Sequence, residues 1–377
     1  MADPRIAEGA ARIARHAERH LEALVAVSSP SGDVHGADEA AAVAAALLPD
    51  EAEVTRLPCS TPEQANDLLA RLTGTGSRRI LLLGHLDTVV AHAAHQPLRR
   101  EGERLYGSGS VDMKGGDVLA LGVLRELAAT PDGYAEVALL LVVDEEWRTG
   151  PLHHAPSFEG WDACLCFEAG ERTPEGHEGV VVRRKAAGTL RVEATGRAAH
   201  SGSAPDKGAN ALLALASAAQ TVAARHDPRG PVRLTAVPTV ARSGDAFNVV
   251  PAEGELLCDL RADELAAFDE VIASIPREID GVRLDAGLDR AWPGMDSRAL
   301  TVDLLAEASE RLGRTVQGTE RGGASDASFC APYIPLTVDG LGPRGGGAHT
   351  PDEFVLAETL RSRAEVALAV TAAALGA

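Results

Sequence analysis

Basic residues are scarce in this chain of 377 residues: 36 Lys and Arg stand against 55 Asp and Glu, for a formal charge of -19 and a pI near 5.1. Such a surface repels phosphate backbones and anionic headgroups, so neither nucleic acid nor a membrane surface is expected as a partner. Cysteine is sparse too. The five (Cys59, Cys164, Cys166, Cys258 and Cys330) are odd in number and form no CxxC pair, and the chain is too long to need a disulfide scaffold. No apolar run approaches the ~20 residues that span a bilayer. The opening Met1-Ala-Asp-Pro-Arg lacks the apolar core of a secretory signal, and a cytoplasmic protein is expected. Walker and GxSxG motifs are missing, which argues against an NTPase or a serine hydrolase. The one GxGxxG match, Gly340-Leu-Gly342-Pro-Arg-Gly345, carries Pro343 where a nucleotide-binding helix would have to start.

What is present has the balance of a globular protein, with 45% hydrophobic and 24% charged residues. At roughly 150 residues per domain, two or three domains are expected. The segment up to about Val27 spaces its apolar positions as a helix and is stopped by Ser28-Ser-Pro-Ser-Gly32; a second helix is predicted over 38–48. Short β-type runs follow at 53–57 and 80–83, the second apolar throughout, as buried parallel strands are. A helix over 117–129 and a buried strand over 136–143 continue an α/β alternation. Ala163-Cys164-Leu165-Cys166-Phe167 reads as one more buried strand, its cysteines acting as small core side chains. Near Gly179 the style changes. Strands at 180–182 and 189–194, a helix over 208–224, strands at 232–240 and 255–261 and a helix from Asp263 imply an α+β unit with an antiparallel sheet. After Trp292 the first style resumes, with a helix over 300–312 and the apolar run 334–338. The expected organisation is a discontinuous large α/β domain, 1–178 and 293–377, whose mixed, mostly parallel sheet is flanked by helices, with a smaller α+β domain, 179–292, inserted.

Ligand-type residues cluster where strands end. In Leu82-Leu-Gly84-His85-Leu-Asp87, a buried strand runs into His85, and Asp87 two positions on shares its face. A metal-binding His commonly gives its second N–H to a carboxylate, a part open to Asp87. In Tyr106-Gly-Ser-Gly-Ser-Val-Asp112-Met-Lys-Gly-Gly116, glycines flank one carboxylate ahead of a helix. Leu139-Leu-Leu-Val-Val143 ends in Asp144-Glu145-Glu146, a crowding of carboxylates that costs energy without a cation. Leu165-Cys-Phe167 runs into Glu168, and Gly345-Gly-Gly-Ala348-His349 sets a late His in a glycine loop. Singly, each has an ordinary reading: a structural His, an N-cap Asp, a solvated acidic loop. Together, His85, Asp112, Glu146, Glu168 and His349 form a mixed nitrogen and oxygen set suited to Zn²⁺, and Glu145 is a carboxylate beside it that can take a proton from water.

In this order the strings resemble the M20 family of metallopeptidases, which includes glutamate carboxypeptidases, aminoacylases and succinyl-diaminopimelate desuccinylases; the glutamate carboxypeptidase branch looks most similar. The resemblance implies a zinc-peptidase-like catalytic domain holding two Zn²⁺, for which Co²⁺ or Mn²⁺ can substitute. His85 and Glu168 would lie on one ion, Glu146 and His349 on the other, with Asp112 bridging, Glu145 as general base, Asp87 behind His85, and a cis peptide after Asp112. The inserted domain is similar through Thr195-Gly-Arg-Ala-Ala-His200 and Gly208-Ala-Asn210. There the resemblance implies a homodimer in which His200 reaches the partner's active site as an oxyanion donor. It implies Asn248 and Arg261 as contacts to a substrate carboxylate, and Arg290 as a further one, although Ala291-Trp292 departs from the family's prolines. Alone, Arg261 and Arg290 read as surface or structural residues. The segment from Arg321 to Asp326 is expected to open a helix whose N–H groups could hold a carboxylate. The implied function is cleavage of an amide bond in a small peptide, releasing a carboxylate-bearing amino acid. The alternatives are deacylation of an N-acyl amino acid and a noncatalytic metal-binding role on the same scaffold, the last disfavoured by the intact Glu145 and ligand set.

Overall fold

The computed structural model describes residues 2–376 and resolves into two compact units. The larger runs to Arg183 and resumes over Asp296–Arg321 and from Ser325 onward. Its first helix, α1 (Pro4–Val25), starts at a proline, where a missing N–H costs nothing, and is capped by Asp3, which accepts the Arg5 N–H at 2.9 Å. It buries Ile6, Ile13, Leu21 and Leu24 along one stripe. A second helix, α2 (Val34–Ala46), follows an Asp33 cap.

The central sheet has six strands: β1 (Glu53–Leu57), β2 (Asp67–Thr73), β3 (Arg79–His85), β4 (Glu136–Val142), β5 (Ala163–Cys166) and the short strand Thr337–Val338. Their order is β1-β2-β4-β3-β5 and then Thr337–Val338. The β1–β2 and β2–β4 pairings are antiparallel and the remaining three are parallel, so the sheet is mixed but mostly parallel. β3 lies between two parallel neighbours, which is why Ile80 to Leu83 are apolar on both faces and fully buried. α1, α3 (Gly115–Ala128) and the long helix Ala357–Leu375 pack on one another and cover this core.

The run 334–338 is a strand only at Thr337–Val338, because the Ile334 N–H bonds the Cys330 carbonyl at 2.9 Å and Pro335 has no N–H to give a ladder. β2 was hidden because its residues, Asp-Leu-Leu-Ala-Arg-Leu-Thr, are buried on both faces and so do not alternate.

The smaller unit spans Arg184–Met295 with Gly322–Ala324. Its five-stranded sheet contains β6 (Ala186–Thr195), β7 (Thr235–Ser243), β8 (Glu253–Ala262), β9 (Glu278–Ile279) and β10 (Val282–Trp292), in the order β7-β8-β6-β10-β9 and antiparallel throughout. Helices α4 (Ala211–Ala223) and α5 (Ala266–Ser274) add Ala214, Leu215, Phe268 and Val271 to a core with Leu190, Val192, Leu256 and Leu260. Pro238 sits at a register shift on β7, an edge strand, where a missing donor is tolerated. No helix among the described residues is long and apolar enough to cross a membrane.

A buried ion cluster ties the two ends of the larger unit together. Arg363, fully buried, donates to the carbonyls of Gly342 at 3.1 Å and Gly340 at 2.6 Å and to Glu178 at 3.1 Å. Arg344 donates to the same Glu178 oxygen at 3.1 Å. Removing the guanidinium leaves two carbonyls and a carboxylate short of donors in the interior. Arg363→Met is therefore expected to lower stability by about 3–5 kcal/mol, read as a fall in the urea midpoint at unchanged slope. A shift of under about 1 kcal/mol would show that solvent satisfies these groups.

Candidate metal centre

Parallel pairing brings the ligand-type residues to one edge of the sheet. His85 is the last residue of β3 and stands in register with Val142 of β4, while Leu83 pairs Cys166 of β5. The segment Asp144-Glu145-Glu146 leaves the end of β4, and Glu168 follows the end of β5, so all emerge at the carboxyl ends of adjacent strands, where α/β sheets gather ligands. The loop carrying Asp112 precedes α3. Its close approach needs Gly116, since a Cβ there would lie 1.8 Å from the Phe167 carbonyl oxygen. Gly109, at φ 71°, turns the chain into that loop. The Asp112–Met113 peptide is cis.

His85 Nε2 lies 3.2 Å from Asp112 Oδ1 and 3.8 Å from Glu168 Oε1. His349 Nε2 lies 3.1 Å from Asp112 Oδ2 and 3.1 Å from Glu146 Oε1. Two triads result, His85/Asp112/Glu168 and Asp112/Glu146/His349, each with ligand atoms within 4.8 Å of one another and with Asp112 in common. Five residues separated by up to 264 positions in the chain meet here. Each triad could hold a metal ion.

The electrostatics point the same way. Burial would hold the fully buried His85 down, yet the facing carboxylates of Asp112 and Asp87 push its pKa well above the ordinary value. Hydrogen bonds to Asp112 and Glu146 raise His349 to about 10. Burial opposes the charge on Asp112, but the two imidazoles facing it hold its carboxyl below the usual range. The cluster thus demands positive charge, which two imidazolium protons meet in the metal-free chain and divalent cations can meet in their place.

Asp87 is fully buried behind His85. The His85 Nδ1 stands 3.1 Å from the Asp87 carbonyl oxygen and 3.4 Å from its carboxylate. That carboxylate accepts the backbone N–H of Glu145 and of Glu146, each at 3.1 Å, and the Ser31 hydroxyl at 2.7 Å. Asp87 therefore joins the β3 end to the turn carrying two more site carboxylates, a broader task than orienting one ring. Glu145 lies outside both triads. Burial drives its carboxyl well above the usual range against the pull of His85, and the charges of Asp326, Glu168 and Glu146 push it the same way.

His200 is exposed, and its Nδ1 accepts the N–H of Gly202 at 3.1 Å and of Ser203 at 3.2 Å, so the neutral ring carries its proton on Nε2 as a donor. Asn248 is exposed on the loop before Val249–Val250, and its carbonyl accepts the Ser201 N–H at 3.0 Å. Arg261, on β8, is engaged by Asp259 two residues away, at 3.0 Å. Arg290, on β10, stacks its guanidinium 4.6 Å from the Trp292 ring. The helix expected after Asp326 is only Ala327–Cys330, too short to act as an anion-binding terminus. Asp326 instead pairs with the buried Arg148, which also donates to Asp144 at 2.6 Å.

Arg148, Ser31 and Glu353 were not singled out in the sequence, although all three hold site segments. Glu353 stands four residues after His349 in the same string, and that nearness is its only signal in the sequence. A third group, Cys59/Asp67/Asp144, also has ligand atoms within 4.8 Å. Its oxygens are already occupied: Asp67 accepts the Val143 N–H at 3.0 Å and faces His154 Nε2 at 2.9 Å, and Asp144 accepts the Thr61 N–H and hydroxyl at 3.0 and 2.7 Å. Burial pushes the Cys59 thiol up, so it is no ready thiolate.

A mixed, mostly parallel sheet with paired histidine–carboxylate triads at its carboxyl edge and a buried carboxyl beside them defines the metal-dependent hydrolase class. Residues 81–373 match the family model described as peptidase family M20/M25/M40, and the chain belongs to that family. It is 27% identical over 345 residues to carboxypeptidase G2 of a Pseudomonas species, covering 88% of this chain and 82% of that one. It is 30% identical over 314 residues to succinyl-diaminopimelate desuccinylase of Stenotrophomonas maltophilia, covering 77% and 82%. Among solved structures, aminopeptidase PepT of Bacillus cereus superposes with a TM-score of 0.78 at 20% identity, over 97% of this chain and 99% of that one, a likeness of fold. The chain is thus a hydrolase of the M20 peptidase family.

Proposed function

We propose that the chain is a two-zinc amidohydrolase that releases a carboxylate-bearing amino acid from an amide, in the manner of a glutamate carboxypeptidase. The observation that carries this reading is the pair of triads sharing Asp112, with the buried Glu145 alongside. His85, Asp112 and Glu168 would hold one ion and Asp112, Glu146 and His349 the other, the charge of three carboxylates and a hydroxide balancing two Zn²⁺. A pair of such ions, when bound, polarises a carbonyl and lowers the pKa of water to the neutral range.

The remaining work falls to the chain's own residues. Glu145 takes the proton from the attacking water and returns it to the leaving amine, a role suited to a carboxyl whose affinity for a proton is raised by burial. Asp87 holds the Glu145–Glu146 turn by two backbone N–H bonds and so fixes that carboxyl in reach. His200 offers Nε2–H to the oxyanion; in this reading it belongs to a second copy of the chain, with domain 179–292 as the dimerising element. Asn248, Arg261 and Arg290 are proposed as contacts to the substrate carboxylate, Arg261 after leaving Asp259. A cytoplasmic enzyme is the matching location.

The similarity to succinyl-diaminopimelate desuccinylases favours a second reading, removal of an acyl cap from an N-acyl amino acid by the same groups. A panel of peptides, C-terminal glutamate conjugates and N-acyl amino acids separates the two by kcat/KM. Chelation tests what they share. EDTA is expected to remove more than about 99% of activity, and Zn²⁺, Co²⁺ or Mn²⁺ to restore it in the order set by these ligands. Full turnover in metal-free buffer after exhaustive chelation would contradict both.

A further inference from the structure

Glu353 belongs to neither triad, yet it is 2% exposed and surrounded by backbone donors from one loop. Its Oε2 accepts the Gly109 N–H at 2.9 Å; its Oε1 accepts the N–H of Val111 at 2.9 Å and of Asp112 at 3.0 Å. Its own carbonyl accepts the Gly107 N–H at 3.1 Å. The next residue, Phe354, pairs with Tyr106 in a short antiparallel ladder, and the Glu353 N–H closes a turn onto Thr350 at 3.2 Å, beside His349. One residue thus grips the loop that presents Asp112 from 107 to 112, while its own backbone ends the loop that presents His349.

We propose that Glu353 is a positioning residue that locks Asp112 and His349 into one rigid unit, and so sets the affinity of the Asp112/Glu146/His349 triad for its metal. The proposal rests on the two-metal reading above. Three converging N–H groups call for an acceptor with several lone pairs and no hydrogen, which a carboxylate is and an amide is not. The buried position keeps water from substituting for any of the three bonds. His85 ends β3 and Glu168 follows the end of β5, so these two members of the other triad lean on the sheet instead. The two metal sites are therefore unequal in what holds them: one loses a shared member's anchorage when Glu353 changes, the other loses the anchorage of two of its three.

Glu353→Gln keeps the shape but sets an NH₂ against at least one of the three donors. Two readouts test it. The first needs no metal: hydrogen exchange of the amides of Gly109, Val111 and Asp112 in the metal-free protein, expected at least about tenfold faster in the variant while β3 and β4 stay protected. Should those strands open as well, Glu353→Asp, which keeps the charge but shortens the reach, is measured with the same expectation for the loop. The second is Zn²⁺ titration of the metal-free protein. One equivalent should bind within about threefold of the wild-type affinity, and the other should weaken by about 10–100-fold, as in His349→Ala. Wild-type exchange rates in the loop, or two equivalents bound with wild-type affinity, would overturn the role of Glu353. Wild-type protein that takes up no zinc would overturn the metal reading instead, and the exchange comparison would still decide whether Glu353 fixes the loop.

Discussion

Glu145→Gln lowers kcat by about 10²–10⁴-fold, the range of general acid–base catalysis, and leaves the bound metal unchanged. The expectation combines three observations. Glu145 lies outside both triads while its neighbour Glu146 is inside one, so the substitution removes a proton carrier and spares the ligands. Its backbone N–H, held by Asp87 at 3.1 Å, is untouched, so the turn keeps its shape. Burial and the surrounding carboxylates of Asp326, Glu168 and Glu146 favour its protonated form against the opposing charge of His85, which gives the wild-type carboxyl the affinity for a proton that the amide lacks. KM should change little, because the loss falls on the transition state rather than on binding. The measurement is steady-state kinetics beside metal content by plasma emission. Unchanged turnover with full metal would remove Glu145 from the chemistry, and a parallel loss of metal would make it a ligand.

Asp112→Asn is expected to be at least as severe by a different route. Asp112 alone belongs to both triads, with one oxygen toward His85 at 3.2 Å and the other toward His349 at 3.1 Å. The amide removes a charge from a cluster whose carboxylates balance the cations, and it turns an NH₂ toward one site. Outer-shell partners of metals commonly cost about 10–100-fold in affinity or activity, and a shared ligand should exceed that. Both zinc equivalents should weaken, in contrast to the uneven loss expected of Glu353→Gln. If Asp112→Asn bound two equivalents as tightly as wild type, the ions would have to lie elsewhere.

Much of the site was legible because its residues follow buried strands. Apolar runs ending in His85, in Glu145-Glu146 and in Glu168 announce strand ends, and parallel pairing of β3 with β4 and β5 does the rest. What the sequence could not carry was the traffic between loops. That Asp87 would serve the Glu145–Glu146 backbone as well as His85, or that Glu353 would collect three N–H groups some 240 positions away, depends on register that no local pattern encodes. The helix expected after Asp326 does form but covers only Ala327–Cys330, and Asp326 itself is drawn into the buried pair with Arg148. In the fold, β2 was hidden by burial on both faces, which erases the alternation that marks a strand.

The central claim is that two metal ions sit on either side of Asp112. Crystals grown with Zn²⁺ and measured at the zinc absorption edge test it directly. Two anomalous peaks about 3.5–4 Å apart, one against His85 and Glu168 and the other against Glu146 and His349, are the expected result. A single peak away from Asp112, or none in protein that turns over an amide, would contradict the account.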